Sequence, residues 1–203
     1  MIEADRKNSP IPLHFVSGLS LSGKSSVIKD LLANSAPDEC VGVIQSLQGL
    51  DPIDSLAFPQ HKFEIIRSSS CVCCEIFLLF YAKLLALLKN ETLNCILVEV
   101  GQEADISQLK AMLQNTPLNE RLHFGKSLIA FDVRDRRFRP YSVMPAINRL
   151  IDQADALIMR FSDLAQAADF EHFRKHKSAD KRYFVMSAGS NPYALHQFLN
   201  DPS

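Results

Sequence analysis

Gly18-Leu19-Ser20-Leu21-Ser22-Gly23-Lys24-Ser25 decides how this chain folds. The octet meets the pattern Gly-x4-Gly-Lys-Ser/Thr at every position, the signature of a loop that cradles phosphates. Before it stands Ile11-Pro12-Leu13-His14-Phe15-Val16, a short apolar run that reads as a strand. After it, Val27, Ile28, Leu31 and Leu32 recur at helical spacing. Strand, glycine loop and helix form the context the motif demands. A serine-rich turn between a strand and a helix is the plainer alternative. Phosphate binding would follow from backbone chemistry, because the loop N–H groups and the helix N-terminus aim their dipoles inward. Gly18 and Gly23 permit the close approach that a side chain would block. Ser22 lies within this cradle. Lys24 is placed to reach the terminal phosphates, Ser25 to ligate Mg2+, and Ser26 to contact the phosphate nearest the sugar.

The rest of the composition narrows the class. A chain of 203 residues suits one domain with a sizeable core, here read as 11–203 after a polar N-terminal extension, 1–10. A net charge of −1 gives no reason to expect nucleic acid as a partner. Residues 1 to 9 lack the apolar core of a signal peptide. The most apolar run, Ile76 to Leu88, is too short to span a bilayer and carries Lys83, so a buried helix is expected and no membrane partner. Five cysteines, three of them within four positions, do not form a disulfide framework and point to a reducing, cytoplasmic setting.

Along the chain, strands are expected at Cys40–Ser46, Lys62–Arg67, Asn94–Val100, Ser127–Val133, Ala156–Arg160 and Lys181–Ser187. Helices are expected at Glu75–Lys89, Asp105–Leu113, from Ser142, after a Ser162 cap, and at Pro192–Leu199. Leu47–His61, with Gly49, Pro52 and Pro59, reads as a long loop in the position of a switch segment. Strands alternating with helices imply an open, mostly parallel α/β sheet with ligands at the strands' carboxyl ends.

Several residues carry candidate chemistry. Glu99 closes a near-continuous apolar strand, where a carboxylate can hold a metal-bound water or orient an attacking one; emergence into solvent at the sheet edge is the alternative. Asp132 ends the next strand and reads equally as a loop cap. Cys71, Cys73 and Cys74 precede a helix whose N-terminus favours thiolates, a set suited to Zn2+ or another thiophilic transition metal. Buried apolar cysteines or a redox pair at 71 and 74 are the competing readings. Asp163 can accept hydrogen bonds from the N1 and exocyclic amine of guanine, or cap a helix beside Ser162. Ser187 and Ala188 can present backbone N–H to the base oxygen. His172 and His176, four apart, and the basic run Arg134 to Arg139 read more simply as solvated surface.

With loop, Cys-Val-Cys-Cys and Glu99 in this order, the chain resembles the CobW-type GTPases, metallochaperone relatives of HypB and UreG. The likeness runs from about Leu13 to Leu199 and corresponds to the family's GTPase domain. The family's Gly-Ser-Gly-Lys-Thr-Thr matches Leu21 to Ser26, and its Gly-Cys-x-Cys-Cys matches Ser70 to Cys74. Its Glu-x-x-Gly and Leu-Ala-Asp-Pro align on Glu99 to Ile106, keeping Glu99, Ala104 and Asp105 but placing Gln102 at the glycine. The switch motif Asn-Glu-Phe-Gly falls on Gln45-Ser46-Leu47-Gln48, and the guanine motif Asn-Lys-x-Asp on Arg160-Phe161-Ser162-Asp163, with only Asp163 kept. The resemblance implies a three-layer P-loop NTPase fold, with a mostly parallel central sheet flanked by helices. It implies GTP and Mg2+ as cofactors, Lys24 and Glu99 as catalytic groups, and Cys71, Cys73 and Cys74 as ligands of a metal cargo. It further implies a recipient metalloprotein and face-to-face pairing of two copies across the nucleotides. A non-hydrolysing regulatory or assembly subunit, and an ATP-dependent small-molecule kinase, are the alternatives that the altered motifs keep open.

Overall fold

The sheet is built from runs of β-branched and aromatic residues that leave few polar groups to solvate. The computed structural model describes residues 9–47, 52–67, 76–89, 92–132, 145–160, 181–186 and 192–201. Seven strands occur there: β1 (Ile11–Ser17), β2 (Cys40–Leu47), β3 (Lys62–Arg67), β4 (Leu93–Glu99), β5 (Leu122–Asp132), β6 (Ala156–Arg160) and β7 (Arg182–Met186). They form one sheet in the order β3-β2-β4-β1-β5-β6-β7. Every neighbouring pair is parallel. Helices α1 (Lys24–Ala33), α2 (Phe77–Leu87), α3 (Ile106–Gln114), α4 (Pro145–Gln153) and α5 (Tyr193–Asn200) supply the connections and the cover.

Alternation along β1 shows why both faces need cover. Leu13 and Phe15 pack with Phe80, Leu84 and Leu87 of α2 and Leu109 and Leu113 of α3. Val16, one step out of phase, packs with Val27, Ile28, Leu31 and Leu32 of α1 and Leu195 and Phe198 of α5. On β5, Leu128 and Ala130 join the α1 cluster, whereas Ile129 and Phe131 meet Leu150 of α4. The result is a sheet between two helical layers. Among the described residues, no helix is long and apolar enough to cross a membrane.

The departures from the expected boundaries have local causes. β5 begins at Leu122, ahead of the apolar run, and is described to Asp132; Val133, its expected end, lies outside the described residues. His123, Gly125 and Lys126 break the apolar pattern, yet the backbone stays paired with β1 across a register shift between Leu13 and Phe15. His14 occupies that irregularity: its Nδ1 accepts the Lys126 N–H at 3.0 Å, and a Cβ on Gly125 would lie 2.6 Å from its ring. The expected loop from Leu47 gives up Leu47 to β2 and contains a short 3-10 turn at Ser55–Ala57, where Asp54 accepts the Leu56 N–H. Asp105 caps α3 instead of entering it, accepting the Gln108 N–H at 3.0 Å. It also takes a hydrogen bond from Gln153 of α4 at 2.8 Å, so this residue of the Ala-Asp motif joins two helices.

Candidate functional site

β1 lies in the interior of the sheet, so its carboxyl end opens at the centre of the strands' carboxyl edge. The chain leaves β1 at Ser17 and turns through Gly18 (φ 145°), Leu21 (φ 63°) and Gly23 (φ 90°) before α1 starts at Lys24. A Cβ at Gly18 would sit 2.2 Å from the Ala130 carbonyl oxygen and 2.6 Å from Ser22 Oγ. Glycine is therefore required there both by dihedral and by space. Ser22 is buried, and its Oγ has no hydrogen-bond partner among the described residues. A buried hydroxyl without a partner costs free energy, which an incoming acceptor would recover.

Lys24 folds over the loop. Its Nζ donates to the Gly18 carbonyl at 3.2 Å and the Leu19 carbonyl at 2.9 Å, and the residue is only 9% exposed. Burial pushes the ammonium below its ordinary pKa, opposed by the negative charges of Glu99 and Glu103. Phosphate oxygens would add to the counter-charge that Glu99 and Glu103 already give this ammonium. Ser26 is half-buried in the first turn of α1, two residues after Lys24.

Glu99 arrives from the neighbouring strand: β1 and β4 pair with Val16 opposite Glu99. The Ser25 hydroxyl donates to both carboxylate oxygens, at 2.9 and 3.1 Å. On the other side β2 brings Gln45 into register with Glu99, and Gln45 Nε2 donates to Glu99 Oε2 at 2.7 Å. Glu99 is 2% exposed, so the alternative of a charge emerging into solvent does not apply. Asp132 ends β5 opposite Arg160 of β6.

Arg160 stands where the aligned guanine motif has asparagine. Its Nη1 donates to Asp30 Oδ2 of α1 at 2.5 Å, and its Cγ lies 3.2 Å from where a Cβ on Gly23 would be. Arg160 thus packs on the phosphate loop and ties β6 to the helix that follows it. Asp30 was not singled out by sequence, because nothing in a surface aspartate on a helix signals a partner 130 residues away. In the sequence Gln45 is visible only as a departure from the switch motif; its contacts with Glu99 and Ile53 come from the fold.

Cys71, Cys73, Cys74, Asp163, Ser187 and Ala188 lie outside the described residues, as do the basic run and the histidine pair. Among the described residues, no three His, Cys, Asp or Glu side chains come together as a metal site. Cys40 and Cys95 are free thiols. Burial, with Glu39 and Cys40 nearby, pushes the Cys95 thiol up to about 12, so it stays protonated.

The model of the CobW/HypB/UreG nucleotide-binding domain matches residues 12–183. The chain belongs to the CobW/HypB/UreG family. A search of the curated proteins returned no significant sequence match. Among solved structures, the Zn(II)-bound YjiA GTPase of E. coli superposes with a TM-score of 0.61 at 17% identity, over 88% of this chain and 57% of YjiA. This CobW/HypB/UreG chain therefore spans little more than half of YjiA. The hydrogenase maturation factor HypB of Archaeoglobus fulgidus gives 0.60 at 14% identity, over 98% and 92%. HypB of Helicobacter pylori, solved in complex with nickel, gives 0.55 at 16%, over 96% and 86%. At these identities the likeness speaks for the fold, the P-loop NTPase arrangement of a parallel sheet between helices.

Proposed function

We propose that this protein is a Mg·GTP-binding, slow GTPase domain that couples nucleotide state to the holding and release of a thiolate-bound transition metal. The observation that carries the nucleotide half is the Ser25–Glu99 pair beside the glycine loop. A hydroxyl and a buried carboxylate meet where Mg2+ would be held, next to a lysine folded over loop carbonyls. The cradle fits phosphate, since Ser22 Oγ is buried in the loop without a partner among the described residues and the Lys24 ammonium lies over the same loop. Ser25 and Glu99 are the residues that would hold Mg2+, which when bound neutralises charge between the terminal phosphates. Lys24 exchanges its two carbonyl partners for terminal phosphate oxygens, and the Gly18–Ser26 backbone holds the rest. Glu99 keeps the Ser25 hydroxyl oriented and is the carboxylate available to place a water. Asp163, with Ser187 and Ala188, is assigned to the guanine base.

The metal half rests on Cys71, Cys73 and Cys74, directly ahead of α2, and on the family. The cargo is Zn2+ or another thiophilic ion, passed to a recipient metalloprotein in the cytoplasm by a domain formed from 11–203, with two copies pairing across the nucleotides. The second reading, a non-hydrolysing subunit, is favoured by Gln102, which replaces the glycine of Glu-x-x-Gly, and by Arg160 at the guanine motif. Calorimetric titration of Mg·GTP and Mg·ATP, with and without one equivalent of Zn2+, tests the proposal alongside Cys73→Ala/Cys74→Ala. GTP preference with a zinc affinity that shifts with nucleotide, and vanishes in the cysteine variant, is the expected result, with coupling in both directions. ATP preference without a zinc effect would sink it. Nucleotide binding without phosphate release in a turnover assay would favour the second reading.

A further inference from the structure

Gln45 makes a bridge that neither the phosphate loop nor the cysteine motif needs. Its side chain is fully buried. Nε2 donates to Glu99 Oε2 at 2.7 Å, while Oε1 accepts the backbone N–H of Ile53 at 2.9 Å. Both ends of one amide are thus committed to opposite chemistry. Turning the amide over would set its oxygen against a carboxylate and its NH2 against an N–H, so the orientation is fixed by both partners. Ile53 itself is 3% exposed and packs in the cluster that contains Val27 and Ile28 of α1. Asp54, next in sequence, caps the turn at Ser55–Ala57. A continuous hydrogen-bonded path therefore runs Ser25–Glu99–Gln45–Ile53, from α1 through β4 and β2 to the segment after β2.

We propose that Gln45 is a positioning residue that ties Glu99 to the backbone at Ile53, so that occupancy of the Gly18–Ser25 site is read out in residues 52–58. The proposal rests on the nucleotide-binding reading above for its physiological trigger. A ligand engaging Ser25 and Glu99 changes what the carboxylate must accept. A displaced carboxylate pulls or releases Nε2, and the rigid amide passes the change to Oε1 and the Ile53 N–H. A glutamine satisfies this geometry because its length spans the carboxylate on β4 and the returning backbone. Asparagine, one methylene shorter, cannot hold both from the same Cα.

Amide hydrogen exchange of residues 52–58 in the full chain, with and without saturating Mg2+ and a slowly hydrolysed GTP analogue, tests this. Exchange at Ile53 is expected to differ about five- to tenfold between the two states, the scale of one hydrogen bond. In Gln45→Leu, with nucleotide at saturation for that variant, Ile53 exchanges fast in both states. Gln45→Asn keeps an amide and repeats the loss if Gln45→Leu fails to fold. Glu99→Ala, measured without nucleotide, accelerates Ile53 exchange because Gln45 has lost its anchor. Equal exchange with and without ligand in the parent protein overturns the proposal, as does a ligand response that survives in Gln45→Leu. A parent protein that binds no nucleotide defeats the proposed function, and the Glu99→Ala measurement then decides the bridge alone: unchanged Ile53 exchange refutes it.

Discussion

Replacing Gly18 by alanine puts a methyl group where the sheet already has an oxygen. The added Cβ would meet the Ala130 carbonyl at 2.2 Å and Ser22 Oγ at 2.6 Å, at a backbone φ of 145°. Carbon contacts settle at roughly 3.5 Å, so the loop must move away from β5 by more than about 1 Å. The dihedral strain costs about 1–3 kcal/mol and the overpacking a further 1–3 kcal/mol. The sum, about 2–6 kcal/mol, corresponds to a fall in Tm of roughly 5–20 °C for a chain of this size. Gly23→Ala provides the internal comparison. Its nearest neighbour would be Arg160 Cγ at 3.2 Å, the stem of a flexible side chain, so strain at φ 90° is the main cost, about 1–2 kcal/mol. Thermal melts of the two variants by circular dichroism, paired with Mg·GTP titrations, should show Gly18→Ala as the more damaged in stability. A Gly18→Ala melt within about 2 °C of the parent, or above that of Gly23→Ala, would refute the steric argument.

Three further expectations follow from the same geometry. Burial, aided by the positive neighbours His123, Lys126 and Lys110, lowers His14 to about 4, so the fold favours the neutral ring. Its contribution is complete above the unfolded value near 6.5 and is lost as pH falls from there toward 4; urea midpoints should report about 2 kcal/mol less stability at pH 5 than at pH 7, and much less difference in His14→Gln. A double-mutant cycle on Asp30→Ala and Arg160→Ala should return a coupling of about 1 kcal/mol, modest because Asp30 is 37% exposed; a coupling of zero would mean the pair is not formed in solution. Cys95→Ser should leave zinc affinity unchanged, since that thiol stays protonated, and a loss of zinc binding in competition titrations would contradict the assignment of metal to Cys71, Cys73 and Cys74.

What the sequence made legible was whatever is decided within a few residues of itself. The glycine loop is a backbone device, so its pattern and its flanking strand and helix reveal it directly. Glu99 was legible because a charge closing an apolar strand has few places to go. Other features depend on strand order and register, which no local pattern encodes. Gln45 becomes meaningful only when β2 lies beside β4 with Gln45 opposite Glu99. Arg160 needs β6 to lie two strands from β1, so that its side chain reaches Gly23 and Asp30. β5 hid its first half for a related reason: pairing to β1 outweighs the weak strand preference of His123, Gly125 and Lys126.

The walls of the phosphate loop have a consequence for how the chain is made. Gly18 backs onto Ala130, Ser25 onto Glu99 and Gly23 onto Arg160, so the loop borrows each wall from a later part of the polypeptide. A ribosome that has released only β1 and α1 has released the motif without its site. Contacts so distant in sequence must close large loops before they stabilise anything, which slows folding. Competence for nucleotide therefore arrives late in synthesis, after β6 has joined the sheet.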